Sequence, residues 1–558
     1  MTAPSECPAE LVAVSAESRT PYRWLWVLVL VLAAAAPYLP TFGYGFVYDD
    51  APQIVDNRDL LSLQNIPKFF TQAISKSAGS SGGLQPVFYR PLFFSQLCVT
   101  RVLLGPGPFG FHLVSLLLHI GNTVLLFYVG LRLGLQRTTA YLAAMLFAVH
   151  PVHVETVVWP SASPELMVLA AILCSLLAFL KSRQTSGTAA TSYGWLALSL
   201  LSFAAALFAK ETALIALPVI AATAFFESSD RPSQIARSAV SLAPYLVIAF
   251  LYFLVRNRVL HGFVKTVTPI SLLDMARTWP SALWFYVRHL VWPAHTSVLY
   301  DYDLVERATL SNFWFPFSVV LAAVAALGFF VWRHRSAASI VATLLLVLPL
   351  VLVLNFRVFY WRDLVHDRYL YIPSVGFCVI AAMALSEFGD WLAARIRRPV
   401  QYCMAAGLLC VLALAAVTEA QPWKNNMSLL RHAVAVAPGN IAAEILLGNE
   451  LESKGNFTEA RTCYERALQL TPGWAPAWFA FGRVLLLTHD PEGAVRSLRR
   501  AEELENSPIA QVWLALALDR VGQTREADAL LAKAVAQDPS MLQTHLRLQQ
   551  QLVAAMHY

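Results

Sequence analysis

Residues 22–50 read YRWLWVLVLVLAAAAPYLPTFGYGFVYDD, and this stretch decides how the rest of the chain is interpreted. An apolar run long enough to cross a bilayer follows Arg19 and Arg23, and Asp49 and Asp50 come after it. The same pattern imitates a secretory signal, but the length of the apolar run favours a retained signal anchor. Because basic residues before a span favour the cytoplasmic side, we expect a cytoplasmic tail over 1–21 and both aspartates on the outer face.

The composition excludes two classes of protein. The 558-residue chain is 57% hydrophobic and only 14% charged, and its mean hydropathy is +0.55. Soluble globular chains carry about 25% charged residues, so a soluble enzyme and a disordered chain are both excluded. The net charge of +6 is mainly a signal of orientation in a membrane protein. No basic–aromatic motif accompanies the charge, and we predict no nucleic-acid partner.

Apolar runs continue to about Val417 and predict an all-α polytopic domain over 22–420, with about 11 transmembrane helices. The candidate spans are residues 22–40, 110–131, 138–150, 163–180, 193–209, 212–226, 240–255, 312–332, 337–355, 372–388 and 400–418. Residues 277–293 are either a further span or an amphipathic helix at the interface. If they do not span, the basic residues of five loops all fall on the cytoplasmic side, and the C-terminal region lies outside.

Residues 421–558 form a second domain, rich in Ala, Leu, Glu, Arg and Gln, that predicts soluble amphipathic helices. Pro438 and Pro472 lie 34 residues apart, which is the period of the tetratricopeptide repeat. Gly448 and Gly482 let the two helices of a hairpin pack closely. The predicted units are a half repeat over 423–438, full repeats beginning at Ile441, Ala475 and Pro508, and a capping helix over 540–554. Stacked repeats form a concave groove, which favours polypeptide capture over a passive spacer or a dimer contact.

The first outward loop, over 41–110, carries the first candidate site residues. Asp49 and Asp50 lie next to the membrane surface, where a charge is costly unless it is solvated or paired, and this favours a functional role. Asp56, further along the loop, suits an ordinary solvated turn. Arg90 precedes an apolar helix, and the sequence leaves open whether it binds an anion or pairs with an aspartate.

Two further outward loops carry polar residues. His150 and His153 lie on one helical face and Glu155 follows, a trio that favours binding of phosphate or sugar oxygens over a metal. A divalent metal stays open, and no other cofactor is predicted. Lys210 and Glu211 lie at a short turn between two apolar runs, where an ion pair closing a helical hairpin is the simplest interpretation.

The stretch over 355–374 is the densest in arginines and aromatics, which crowd the mouth of a helix beginning near Pro373. Arg368 is the best candidate for a phosphate ligand, because guanidinium binds phosphate through two parallel hydrogen bonds. Tyr369 can line a sugar site, and Arg256 and Arg258 are weaker phosphate candidates. The alternative is an interfacial belt of Tyr, Trp and Arg.

These features suit an enzyme that takes a sugar from a polyprenyl-phosphate carrier. The phosphate leaving group needs charge stabilisation, and the acceptor hydroxyl needs one general base, which an aspartate can supply. A transporter fits poorly, because transporters place polar groups near the membrane midplane. Two rivals stay open: transfer to a lipid-linked or cell-envelope glycan, and a non-catalytic membrane scaffold whose repeats recruit partners.

The order of motifs resembles one family. The motifs are Tyr48-Asp49-Asp50, Tyr89-Arg90-Pro91, His150-Pro151-Val152-His153-Val154-Glu155, Lys210-Glu211, Arg368-Tyr-Leu-Tyr-Ile-Pro-Ser374 and the trailing repeats. They resemble the transmembrane and tetratricopeptide repeat-containing O-mannosyltransferases and their bacterial relatives, which belong to the GT-C class of glycosyltransferases. The resemblance covers about residues 22–540, although the repeat array is shorter than in the animal members.

The resemblance implies an inverting transfer of a hexose, often mannose, from a polyprenyl or dolichyl phosphate to Ser or Thr of a secreted protein. It implies that the catalytic acidic residue of the first outward loop, the general base, is Asp49 or Asp50. We therefore expect a multi-pass protein of the bacterial inner membrane with periplasmic repeats, or of the endoplasmic reticulum with lumenal repeats. Its expected partners are the polyprenyl-linked sugar, the lipid bilayer and an acceptor polypeptide held in the repeat groove.

Overall fold

The structure is a computed structural model, and it describes residues 23–72, 89–183, 188–226, 231–262, 268–359, 363–393 and 395–555. Within these ranges the secondary structure is helical, without strands. The cytoplasmic tail predicted over 1–21 lies outside the described residues. Bilayers exclude unpaired backbone groups, and a helix satisfies these groups within its own segment, so an all-α fold is the expected outcome for a chain so apolar.

The first part of the chain forms fifteen α-helices among the described residues. They are α1 Arg23–Ala35, α2 Ile66–Thr71, α3 Pro91–Leu104, α4 Pro108–Arg132, α5 Arg137–Val149, α6 Val154–Val158, α7 Ser163–Ser182, α8 Ala189–Ala209, α9 Ala216–Phe225, α10 Arg231–Leu260, α11 Leu272–Val291, α12 Phe315–His334, α13 Ala337–Val353, α14 Pro373–Ala393 and α15 Arg398–Ala420. Short 3₁₀ or π turns extend or link several of them.

Eight helical segments of the described chain are long and apolar enough to cross a membrane. A ninth arises if residues 137–149 and 151–158, which meet at a bend of 51°, count as one broken span. Two predicted spans, 212–226 and 337–355, fall on shorter apolar helices, Glu211–Phe225 and Ala337–Val353. The prediction of a polytopic all-α membrane protein is confirmed, and each predicted span coincides with a helix.

The ambiguous segment over 277–293 falls on α11, which is not among the apolar segments long enough to span. One face of α11 is buried through Met275, Phe285 and Leu290, while Trp279 and Trp292 remain partly or largely exposed. This amphipathic distribution agrees with the interfacial alternative, because aromatic side chains favour the level of the lipid headgroups.

The core of the membrane part is built around α7, which packs against α4 and α8, while α14 packs against α5 and α13. Gly376 of α14 shows how closely these helices approach, because a Cβ at that position would overlap the carbonyl oxygen of Ala342 in α13. Small residues at helix contacts are the usual means of close packing in membranes. By contrast, α12 and α15 bury little of their surface within the protein, as expected of helices that face lipid.

The remaining helices form an array of antiparallel pairs. They are α16 Asn426–Val436, α17 Ile441–Ser453, α18 Phe457–Leu470, α19 Ala475–Leu487, α20 Pro491–Leu504, α21 Pro508–Arg520, α22 Thr524–Gln537 and α23 Met541–Ala555. The three predicted full repeats begin where α17, α19 and α21 begin, and α16 and α23 match the half repeat and the cap. A Cβ at Gly448 would overlap the ring of Tyr464, and one at Gly482 would overlap Leu498, so the predicted need for small residues is confirmed.

The junction between α15 and α16 is hydrogen-bonded to two loops of the membrane part. The amide of Gly45 donates to the carbonyl of Lys424 at 3.0 Å, which fastens the first loop to the junction. The carboxylate of Glu419 accepts hydrogen bonds from the amide and hydroxyl of Thr296 at 2.9 and 2.7 Å. The ring of Trp423 is buried and lies 6.1 Å from the ring of Trp159. The start of the repeat array is therefore fixed against the loops that carry the candidate site.

Candidate active site

Arg368 lies at the centre of the candidate site, in a short 3₁₀ turn just before α14. Glu155 of α6 accepts hydrogen bonds from the backbone amide of Arg368 at 2.9 Å and from its Nη1 at 2.5 Å. The guanidinium lies over the rings of Trp159 and Tyr369, 5.3 and 5.0 Å from their centroids. The Arg368 side chain keeps 18% of its surface exposed, whereas Glu155 keeps 1%. A cation fixed in this way is oriented before any anionic ligand arrives.

The neighbouring aspartates Asp49 and Asp50 have different environments. Asp50 is fully buried, and its Oδ1 accepts from the amide and hydroxyl of Ser161 at 3.0 and 2.5 Å, while Oδ2 accepts from the amide of Val47 at 3.1 Å. Burial raises the pKa of Asp50 to about 7, although these hydrogen bonds act in the opposite direction. Asp49 is only half-buried, and its Oδ2 accepts from Gln53 at 3.2 Å. A substrate hydroxyl can therefore approach Asp49 more readily than Asp50.

Tyr48 links the loop that contains Asp49 and Asp50, which we call the aspartate loop, to Arg368. Its ring lies 5.6 Å from the ring of Trp159, which also contacts the Arg368 guanidinium. Burial raises the pKa of Tyr48 well above its ordinary value, and the charges of Asp363 and Asp49 act in the same direction, whereas Arg368 opposes them. Asp49, Asp363 and Arg368 therefore each lie near enough to Tyr48 for their charges to act on its hydroxyl.

A second group of charges lies near Tyr369. Lys210 forms a buried ion pair with Glu165 at the start of α7, and its Nζ lies 5.4 Å from the Tyr369 ring centroid. Burial lowers the pKa of Lys210, while Glu165 acts to raise it. Glu211 instead contacts Arg90, with 4.0 Å between the carboxylate oxygen and Nη2. Lys210 and Glu211 therefore each contact an ion on another element, and their charges also act on each other.

The two weaker arginine candidates of α10 differ in position. Arg256 is half-buried and lies near enough to Glu211 for their charges to interact. Arg258 is exposed, on the same helix. The structure therefore brings Arg90 and Arg256 to the charged group around Glu211, and it does not bring Arg258 there.

The predicted trio in the second outward loop is divided. His150 and His153 are buried in the core, where their Nε2 atoms contact the carbonyl oxygen of Leu290 at 3.0 Å and the hydroxyl of Ser374 at 2.7 Å. Only Glu155 of the trio contacts Arg368. Glu155 follows two residues after His153, a spacing that puts the two side chains on different faces of a helical segment. Among the described residues, no group of three or more His, Cys, Asp or Glu side chains could hold a metal ion.

The sequence did not lead us to predict several residues of this region. Glu165 follows a proline at the start of an apolar run, and a carboxylate in that position was a usable signal. Asp367 is buried, and its carboxylate contacts His289 at 2.6 Å and accepts from the hydroxyl of Tyr300. His119, inside an apolar span, contacts the Tyr371 hydroxyl at 3.0 Å, and a histidine within such a span also marks a polar interior.

The fold and the repeats together define a polytopic membrane protein with a tetratricopeptide-repeat tail. The tetratricopeptide repeat family matches residues 442–474. Over most of its length the chain is similar to animal protein O-mannosyl-transferases, and the predicted resemblance is confirmed by these homologues. F38B6.6 of Caenorhabditis elegans is 24% identical, with 78% of this chain and 61% of the relative covered. TMTC3 of Mus musculus is 24% identical, with coverages of 92% and 60%. The chain thus spans about three fifths of these relatives.

Two solved structures resemble the chain in part. The apo oligosaccharyltransferase of Archaeoglobus fulgidus is 12% identical, with 74% of this chain and 56% of that chain covered and a TM-score of 0.42. ArnT from Cupriavidus metallidurans, bound to undecaprenyl phosphate, is 12% identical, with coverages of 93% and 89% and a TM-score of 0.39.

Proposed function

We propose that this protein is a membrane glycosyltransferase of the GT-C type. Its donor is a sugar, mannose or another hexose, carried on a polyprenyl phosphate, and its acceptor is a Ser or Thr hydroxyl of a secreted or membrane polypeptide. The observation that carries the proposal is the guanidinium of Arg368, which Glu155 holds over the rings of Trp159 and Tyr369. The ring of Trp159 also packs on Tyr48, the residue before Asp49. The names of the curated relatives, protein O-mannosyl-transferases, support the same reaction class.

In the proposed reaction Asp49 is the general base and Arg368 binds the donor phosphate. The acceptor oxygen forms a bond to the anomeric carbon while the bond from that carbon to the phosphate oxygen breaks. The hydroxyl proton passes to Asp49, and the leaving phosphate keeps the electron pair, whose charge Arg368 stabilises. A single displacement from the face opposite the phosphate inverts the configuration at the anomeric carbon.

The other charges have supporting roles in this proposal. Glu155 orients Arg368, and Asp50 holds the aspartate loop against the turn that contains Ser161. Lys210, paired with Glu165, lies near Tyr369, and Arg90, paired with Glu211, lies near enough to Lys210 for their charges to interact.

We also propose that the site and the repeats lie on the outer side of the membrane, which is the periplasm in a bacterium or the lumen of the endoplasmic reticulum in a eukaryote. Arg132 ends α4 and Arg137 begins α5, so both lie at the end of these helices opposite His150 and the candidate site. Basic residues favour the cytoplasm, and this orientation puts the repeats where a secreted acceptor would pass.

The experiment compares Asp49→Asn with Asp56→Asn, an exposed aspartate of the same loop, in the purified full chain. The probes are a synthetic polyprenyl-phosphate mannose and a threonine-containing peptide. We expect Asp49→Asn to lower kcat about 100-fold or more, as loss of a general base does, and Asp56→Asn to retain activity. Equal activity of Asp49→Asn and the unaltered protein, both folded, would contradict the role of Asp49. Absence of transfer by the unaltered protein to this peptide would contradict the proposed acceptor class.

A further inference from the structure

A cavity of about 740 Å³ lies between α11 of the membrane part and α16, the first helix of the repeat array. Its walls combine aromatic rings with a few charged or polar side chains. Those that carry the argument are Trp284, Phe285, Trp292, Arg288, Asp301 and His432. A cavity of this size with mostly apolar walls and a few polar groups has the character of a ligand site.

One wall of the cavity is bonded to the segment that carries Arg368. His289 and Tyr300, which both line the cavity, contact the two oxygens of the Asp367 carboxylate. Asp367 directly precedes Arg368 in the chain. Burial and the charge of Asp367 raise the pKa of Tyr300, and the charge of Glu155 adds to the effect. The cavity and the proposed donor site are therefore neighbours that share one short segment.

The opposite wall belongs to the repeats. His432 of α16 contacts the carbonyl oxygen of Thr296 at 2.9 Å, and Asn440, at the start of α17, donates to the carbonyl oxygen of Tyr300 at 2.6 Å. A Cβ at Gly439 would overlap the carboxylate of Asp301. The turn between α16 and α17 therefore packs directly on the loop that contains Asp301. The cavity thus lies where the repeat array meets the membrane part.

We infer that this cavity binds an extended stretch of the acceptor polypeptide on its way from the repeats to the donor site. The inference rests on the proposed function and names the acceptor site within it. An isoprenoid tail is the poorer occupant, because it would cover the exposed charges of Arg288 and Asp301 and remove them from water. A polypeptide offers amide groups that can bind the charged side chains, and apolar side chains that can pack against the aromatic walls.

The test fills the cavity from either wall in the full chain. Ala435→Trp enlarges an exposed residue of α16, and Ser281→Trp enlarges a residue of α11; both residues line the cavity. Arg431→Trp is the matched control, because Arg431 is exposed on α16 and is not among the lining residues. Binding of a fluorescent threonine-rich peptide is measured by anisotropy, separately from transfer activity and from the KM for the polyprenyl-phosphate donor.

We expect both filling variants to weaken peptide binding about tenfold or more, with an unchanged donor KM, and the control to bind as the unaltered protein does. Normal peptide binding by both folded filling variants would overturn the inference. A raised donor KM with unchanged peptide binding would overturn it in favour of a lipid occupant. If the unaltered protein binds the peptide but transfers no sugar, the proposed function fails while loss of binding in the filling variants still supports the cavity.

Discussion

The replacement Asn426→Ala tests whether the repeat array holds the aspartate loop in its working conformation. The amide of Tyr48 donates to Oδ1 of Asn426 at 2.7 Å, across the junction between the two parts of the protein. Tyr48 has a φ of 52°, in the left-handed region that a non-glycine residue adopts at a cost of about 1–2 kcal/mol. Because Asp49 is the next residue, the conformation of Tyr48 determines where the proposed base points.

The expected magnitude follows from these two facts. A hydrogen bond of this kind contributes about 1 kcal/mol net, and without it the strained conformation of Tyr48 is opposed by a preference of similar size. A shift of about 1.4 kcal/mol changes an equilibrium about tenfold. We therefore expect Asn426→Ala to lower kcat about fivefold to tenfold while the KM for the donor changes little, since Arg368 and its contacts are unaltered.

The control is Asn425→Ala. Asn425 caps α16 by accepting from the amide of Ser428 at 2.9 Å, and it is not the side chain that binds Tyr48. Asn425→Ala removes one side-chain hydrogen bond at this helix end, and Asn426→Ala removes two, because Nδ2 of Asn426 also donates to Glu450 at 3.4 Å. A thermal melt therefore shows how far the stability of each variant falls. A kcat for Asn426→Ala equal to that of Asn425→Ala would refute the reasoning, since only general stability would then be at work.

Two further predictions concern the buried carboxylates. Glu155→Gln removes the anion that holds Arg368, and we expect a lower melting temperature and a raised KM for the donor. The double variant Glu155→Gln with Arg368→Gln should regain stability without regaining transfer. Recovery of both stability and transfer would refute the pairing. The folded-state pKa of Asp50 is about 7, above its ordinary value of 3.8, so the folded protein binds more protons than the unfolded chain between these values. Stability should fall as pH rises from about 4 to about 7, and a melting curve of Asp50→Asn with the same pH dependence would contradict this.

The helices and repeats were predictable because their signals are local. Each span is a continuous apolar run, and the repeats follow small residues at a period near 34, as at Gly448 and Gly482. The length of one predicted span was not predictable in this way. Residues 138–150 continue through a bend into α6, and the hydropathy of the run did not reveal this continuation. A proline at position 151 was the available signal for that bend.

The candidate site was predicted in part. Asp49, Glu155, Arg368 and Tyr369 were chosen from the sequence, and the structure gathers them around Tyr48 and Trp159. The sequence did not distinguish Asp49 from Asp50, because the difference depends on the Ser161 turn that covers Asp50.

The chain by itself determined an all-α membrane part, a repeat tail and the types of polar residue between them, since hydrophobic periodicity and residue chemistry are properties of neighbouring residues. Tertiary structure alone decided which charged and polar groups pair. Glu155 and Arg368 are 213 residues apart, and Tyr48 and Asn426 are 378 apart. In a low-dielectric interior each buried charge needs a partner, and only the packing of distant helices determines which partner lies within reach.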